Sequence, residues 1–423
     1  MYSIAQGSPE YSPRHKRLSR ETIAALPKVV LHDHLDGGLR PGTVIDLAAD
    51  CDYRGLPTGN PEELARWFVN SADSGSLPAY LETFAHTCAV MQTTAALHRV
   101  AREAVEDLAA DGVVYAELRF APEQHQEQGL GLQEIVDAVV DGCMEGEKTS
   151  HLSGHTIHAR VILCAMRHAD RAREIAELVA SNTGSDSPGR GYVVGFDIAG
   201  AEAGFPPACC AGAFAVLRED LVPFTIHAGE AAGIDSLADA VSQGTWRIGH
   251  GARLFEDFSA GIDGIDPGRV SSYVRDRGIA LELCPSSNVQ TGVIDEITDH
   301  PLPLLHGLGF ACTVNTDNRL VSGTSMTEEM MLLVETFDYG IPELFDLTVT
   351  AIASAFIPEL QRREILEGLI VPGWEKTTID DAASDEEESD RSMDSERSGS
   401  VSAFEGIDPG LLAELGIDPT DLD

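Results

Sequence analysis

The chain has 423 residues, 43% of them hydrophobic, which is enough for a sizeable core built as one large α/β barrel or two average domains. Its formal net charge of −40 repels phosphate backbones and anionic lipid, so neither nucleic acid nor a membrane is an expected partner. Eight cysteines include the adjacent Cys209 and Cys210 but no C-x-x-C, which excludes a cysteine zinc knuckle, argues against a disulfide framework and fits a reducing cytoplasm.

The first residues, MYSIAQGSPEYSPRHKRLSR, are basic in part but lack an apolar stretch, so they do not read as a secretory signal; residues 1–24 are expected to form a mobile arm. No apolar run approaches the roughly 18–20 residues that span a bilayer. From residue 25 onward, apolar runs recur and end in polar residues. In order they are KVVLHDHLDG (28–37), VVYAELRFAP (113–122), TIHARVILCAMRH (156–168), VVGFDIAGAE (193–202), FTIHAGE (224–230), RIGHGARL (247–254), ALELCPSSN (280–288) and ACTVNTDN (311–318). Helix-like segments such as Leu97 to Ala110 and Ile175 to Ala180 separate them. Continuous apolar strands alternating with helices predict a parallel sheet buried on both faces, and eight such units predict a closed (β/α)8 barrel over residues 25–376. The long segment 38–112 is expected to add helices over the barrel mouth. Residues 377–423 hold 15 acidic residues against 2 arginines and contain the low-complexity run DDAASDEEESDRSMDSERSGS. That composition predicts an acidic disordered tail whose plain role is solubility, and no protein partner is inferable from it. Lysine is scarce (Lys16, Lys28, Lys148 and Lys376), a balance that suits either a salt-adapted chain or a GC-rich genome.

In a barrel of this kind chemistry sits at the C-terminal strand ends, and five of the eight runs end in His, Glu or Asn. His32 and His34 form an H-x-H pair; with a side-chain period of two, both rings face the same way and can reach one metal. Alone, the pair reads equally as two satisfied polar residues, His227 as a buried core histidine and Asp317 as a turn residue. Together, three imidazoles and a carboxylate at strand ends make a site for zinc or a neighbouring transition metal, which lowers the pKa of bound water from about 15.7 towards 7. Glu230 in HAGE is placed to donate a proton and His250 in IGHG to orient the attacking oxygen, the plain alternative for Glu230 being a helix N-terminal residue. A second metal site at His151, His155 and His158 lacks a carboxylate or cysteine to complete it. Cys284 reads as core, and Ser286, Ser287 and Asn288 as residues of the mouth.

The ordered set LHDHLDG, DIAGAE, TIHAGEAAG, IGHGARL, LCPSSN and VNTDN resembles the adenosine deaminase family over about residues 25–370. The resemblance implies one zinc ion per subunit held by His32, His34, His227 and Asp317, with Glu230 protonating purine N1 and His250 positioning the hydroxide. It further implies substrate contacts from His34, from Asp36 to the ribose, from the Gly200 backbone to the purine ring, and a helical flap at SLPAYLETF (76–84). The implied reaction is hydrolysis of adenosine to inosine and ammonia in the cytoplasm. One departure stands out: where the family has a second aspartate facing purine N7, this chain has Asn318, whose amide donates a hydrogen bond at any pH. Zinc deaminases of the P-C-x-x-C type are excluded by the absence of that motif. Binuclear amidohydrolases need a bridging lysine, and none occurs between Lys148 and Lys376. Nucleotide-using relatives need a basic pocket, for which only the scattered Arg40, Arg119, Arg167 and Arg253 are available. Other aminopurine nucleosides of the aminofutalosine type, or a non-catalytic nucleoside-binding protein, remain as alternatives.

Overall fold

Eight parallel strands close into a barrel: β1 (Lys28–His34), β2 (Val113–Phe120), β3 (His158–Met166), β4 (Val193–Ala199), β5 (Thr225–Ala228), β6 (Arg247–His250), β7 (Ala280–Leu283) and β8 (Cys312–Val314). The computed structural model describes residues 17–262 and 264–379; the remainder of the predicted N-terminal arm and acidic tail lies outside them. Every strand coincides with one of the eight apolar runs, because a strand covered on both faces has no solvent side to alternate with. β1 to β4 pair in sequence, as do β5, β6, β7 and β8. Single parallel bridges join the two sets, Phe196 to Phe224 on one side and Asp33 to Asp317 on the other. At the second seam the Asn315 carboxamide oxygen accepts from the Leu31 and His32 amides at 2.8 and 3.1 Å, so a side chain completes the ladder where β8 ends.

The crossover helices bury one stripe each. Thr94–Ala110, capped by the Thr93 hydroxyl, buries Leu97, Val100, Ala101, Ala104, Val105 and Leu108, the spacing of one helix face. Before it, the segment between β1 and β2 carries four further helices, Pro41–Asp50, Pro61–Ala72, Leu77–Glu82 and Phe84–Val90. Two features depart from the sequence expectation. An antiparallel hairpin, Phe258–Gly261 with Gly264–Pro267, follows β6. Helix Arg20–Ala25, capped by Ser19, starts inside the stretch assigned to the N-terminal arm, and helical residues continue to 379, beyond the assigned tail boundary. All eight cysteines are free. Among the described residues no helix is long and apolar enough to cross a membrane.

The barrel interior is charged. Arg119, fully buried, donates to Asp197 (2.6 Å), Glu282 (2.8 Å) and the Leu31 carbonyl (2.5 Å). Arg247 donates to Glu282 and Glu117, both at 2.6 Å, and to the Ser354 carbonyl at 2.8 Å. Charges are retained in such a place only when paired and hydrogen-bonded, as these are. The network forms a floor beneath the C-terminal strand ends.

Candidate active site

Directly above that floor, the side chains of His32, His34, His227, His250 and Asp317 converge. His32 and His34 project from the same face of β1, and the intervening Asp33 turns away to accept from Thr316 and the Arg319 Nε, both at 2.7 Å. His227 comes from β5 and His250 from the last position of β6. Asp317 lies three residues past β8, held by its backbone: the Asp317 amide donates to the His32 carbonyl at 2.9 Å and the His34 amide to the Asp317 carbonyl at 2.6 Å. Both His250 (φ 60°) and Asp317 (φ 56°) occupy the left-handed region, which costs a non-glycine residue about 1–2 kcal/mol. The surrounding ladder imposes the strain, and it aims both side chains inward.

The donor atoms stand at metal-ligand spacing. His34 Nε2 lies 3.3 Å from His227 Nε2, and Asp317 Oδ1 lies 3.2 Å from His32 Nε2 and 3.5 Å from His34 Nε2. Two nitrogens each about 2.0–2.1 Å from one tetrahedral zinc ion are about 3.3 Å apart. His32 Nε2 is buried and meets the Asp317 carboxylate without a well-aligned hydrogen bond, as two ligands of one cation would. Carboxylates beneath the rings set the tautomers: His32 Nδ1 faces Glu282 at 2.9 Å, and His227 Nδ1 faces Asp197 at 2.7 Å. Each Nδ1 therefore carries the proton and each Nε2 is bare towards the centre. Despite burial, Arg119 and Arg247 hold Glu282 well below the ordinary carboxylate range. Among the described residues, the single group compact enough for a metal is His32, His227, His250 and Asp317, so by proximity alone His250 competes with His34 for the fourth position.

A cavity of about 350 Å³ opens over this centre, within the size range of small-molecule sites. His34, Asp36, Gly200, His227, Glu230, His250, Asp317 and Asn318 all line it, while His32 is fully buried and lies outside the lining. Leu77, Pro78, Tyr80, Leu81 and Phe84 form the roof, on and just after helix Leu77–Glu82, and the Tyr80 hydroxyl ties that helix to Ser322 at 2.9 Å. Asp36 sits in the turn Leu35–Gly37, which packs so closely on Asn318 that a Cβ at Gly37 would stand 2.0 Å from its Oδ1. Burial pushes the Asp36 carboxyl up to about 7, and its Oδ1, 3.9 Å from His34 Nδ1, makes no hydrogen bond within the protein. Gly200, at φ 93°, turns the chain at the end of β4 where a side chain would press on Met166.

Glu230 caps no helix: the following helix Ile234–Gln243 is preceded by Gly233. Instead its carboxylate faces the cavity, 3.7 Å from His250 Nε2. Glu202, the last residue of the VVGFDIAGAE run and without a signature of its own in the sequence, fixes that loop. Its carboxylate accepts from the amides of Gly229, Glu230, Ala231 and Ala232 at 2.7–3.0 Å and from the Ser236 hydroxyl at 2.5 Å. Burial, then the charges of Asp317 and Glu202, raise the Glu230 carboxyl well above its ordinary value, so it holds a proton to donate. Asn288 is not in the cavity lining; it stands behind His250, with Nδ2 3.1 Å from His250 Nδ1. Cys284 is buried, as expected of a core residue.

The model of the family described as adenosine deaminase matches residues 27–372. The chain belongs to the adenosine deaminase family. It is 54% identical over 355 residues to the adenosine deaminase of Mycobacteroides abscessus, covering 84% of this chain and 96% of that one. It is 52% identical over 361 residues to adenosine deaminase 1 of Streptomyces coelicolor, covering 85% and 90%. Among solved structures, the adenine deaminase of Arthrobacter aurescens superimposes with a TM-score of 0.69 at 26% identity, covering 81% of this chain and 97% of that one. A zinc-bound amidohydrolase from Burkholderia ambifaria gives a TM-score of 0.72 at 23% identity (90% and 98% covered), a likeness of fold. Membership of the adenosine deaminase family makes the chain a hydrolase and accounts for the barrel and for a divalent-metal site at its mouth.

Proposed function

We propose that the chain hydrolyses adenosine and 2′-deoxyadenosine to the inosine products and ammonia in the cytoplasm, with one zinc ion per subunit. The observation that carries this reading is the convergence of His32, His34, His227 and Asp317 under a cavity that also presents Glu230, His250 and Asp36. His32, His34, His227 and Asp317 would hold the ion. When bound, it supplies a water activated at neutral pH and stabilises developing negative charge.

The chain's own residues do the rest. Asp36, with an unpartnered oxygen at the cavity wall, accepts from a ribose hydroxyl. The backbone at Gly200 approaches the purine ring, and Asn318 donates to N7. Glu230 gives its proton to N1, which draws electron density from C6 as oxygen adds there. His250 orients the incoming oxygen. The water's two protons balance the step: one restores Glu230 and the other passes to the departing amine, so that breaking the C6–N6 bond releases ammonia, while the roof helix keeps bulk water out of the cavity. The lining contains no lysine or arginine to pair with a 5′-phosphate, and its charged groups are the carboxyls of Asp36, Glu230 and Asp317. The four arginines available from the sequence are engaged elsewhere: Arg40 with Asp107, Arg119 with Asp197 and Glu282, Arg167 with the Phe205 and His227 carbonyls, and Arg253 with Glu256. A free nucleoside therefore fits and a nucleotide does not. The curated relatives at 52–54% identity favour adenosine over other aminopurine nucleosides. The test is ammonia release from a panel of purine nucleosides and their monophosphates on protein of measured zinc content. Adenosine should lead the panel; a leading monophosphate, or no turnover of any member, would overturn the proposal.

A further inference from the structure

Behind His250, on the side away from the cavity, three buried groups form a chain with one direction. The Leu302 amide donates to His300 Nδ1 at 3.0 Å. A backbone N–H is always a donor, so His300 Nδ1 must be an acceptor, and in a neutral ring the proton then sits on Nε2. His300 is neutral because burial lowers it to about 3. His300 Nε2 lies 3.1 Å from Asn288 Oδ1, which accepts that proton. The Asn288 amide is thereby oriented, and its Nδ2 faces His250 Nδ1 at 3.1 Å as a donor. His250 Nδ1 must accept, so its own proton lies on Nε2, the nitrogen 3.7 Å from Glu230.

This is the reverse of the arrangement at His32 and His227, where a carboxylate under Nδ1 leaves Nε2 bare. We infer that His300 and Asn288 are positioning residues that lock His250 in the Nε2-protonated tautomer, making it a hydrogen-bond donor to the incoming oxygen and barring it from the metal. The relay thus decides between His34 and His250 for the fourth ligand position, a choice that distance alone leaves open. All three groups are buried (His250 and His300 at 1% and 4% exposure, Asn288 at 0%), so water does not compete for the linkage. None of its hydrogen bonds reaches the metal ligands, and neither Asn288 nor His300 lines the cavity.

The inference rests on the deaminase reading for its consequence but not for its geometry, and the test separates the two. Long-range ¹H–¹⁵N correlation spectra of zinc-loaded protein labelled at histidine nitrogen report the tautomer, with the His250 signals identified by their loss in His250→Gln. Wild-type protein should show His250 protonated at Nε2. In Asn288→Asp the carboxylate accepts from both rings, so His250 should turn to the Nδ1-protonated form. At unchanged zinc content, kcat for adenosine should then fall by about 100-fold or more, with KM within about threefold. A wild-type His250 protonated at Nδ1, or an Asn288→Asp variant with wild-type kcat, overturns the relay. The wild-type spectrum decides the matter even if the variant does not fold. Absence of adenosine turnover in wild-type protein with the Nε2 tautomer present would instead count against the proposed reaction and leave the relay standing.

Discussion

Glu230 and His227 lie three residues apart, His227 in β5 and Glu230 in the loop that follows it, yet the chemistry proposed for them differs in kind. In the proposed reaction His227, held by Asp197, serves as a ligand, and Glu230, on a backbone that Glu202 organises, serves as an acid. Glu230→Gln keeps the shape and removes the proton, so turnover should fall by about 10²–10⁴-fold while metal analysis stays at the wild-type level. His227→Ala should lose the metal itself. A Glu230→Gln enzyme with normal kcat would end the assignment. Asn318 offers a second test. A carboxyl at that position donates to N7 only while protonated, so Asn318→Asp should work at acid pH and lose activity as pH rises through the new group's pKa. Asn318→Leu with unchanged kinetics would show that the side chain does not touch the base.

At the level of elements, the barrel that carries the site is held together by parts that lie far from it. The short turn Leu366–Ile370 leads into helical residues 371–379, and there Trp374 is fully buried under the start of β1. Its indole donates to the Pro27 carbonyl at 2.8 Å, and its ring packs edge-on against Phe345 with centroids 5.3 Å apart. Trp374→Ala removes both the packing and the hydrogen bond and should cost about 3–5 kcal/mol in chemical denaturation. Turnover per folded molecule should be unaffected, because Trp374 lies at the opposite pole of the barrel from the strand ends. A loss below about 1 kcal/mol would mean that the C-terminal helix is not part of the cooperative fold.

Across the whole molecule, buried titratable groups tie stability to pH. His125 is fully buried beside Phe120, and burial lowers it to about 4 from an ordinary 6.5. Above pH 6.5 both folded and unfolded chains carry it neutral. As pH falls from there towards 4, the unfolded chain takes up a proton that the folded chain refuses, and stability drops by about 1.4 kcal/mol per pH unit, roughly 3 kcal/mol in all. Denaturation curves of wild type and His125→Leu should therefore converge as pH falls from 6.5 to 4, the wild type losing more. Curves that stay parallel would refute a neutral buried His125. The interior network works at the same scale: Glu117, Arg247, Glu282, Arg119 and Asp197 form one linked array that reaches His32 on one side and His227 on the other.

Much of this was legible in the sequence for a physical reason. A parallel barrel strand is buried on both faces and reads as an unbroken apolar run, and an H-x-H at its end points both rings one way whatever surrounds it. The eight strands and the grouping of His32, His34, Glu230, His250 and Asp317 at one mouth follow from that. A further signal was available: Glu117, Arg119, Asp197, Arg247 and Glu282 interrupt apolar runs, and a charge inside a buried strand must be paired. What the partners are depends on which strands stand opposite each other across the barrel. Only the closed structure brings Glu282 under His32, Asp197 under His227, and His300 through Asn288 to His250. Residue types and local spacing set the strands and the donor atoms; the tautomer each histidine adopts is decided by groups as many as 250 positions away, which only tertiary packing brings into contact.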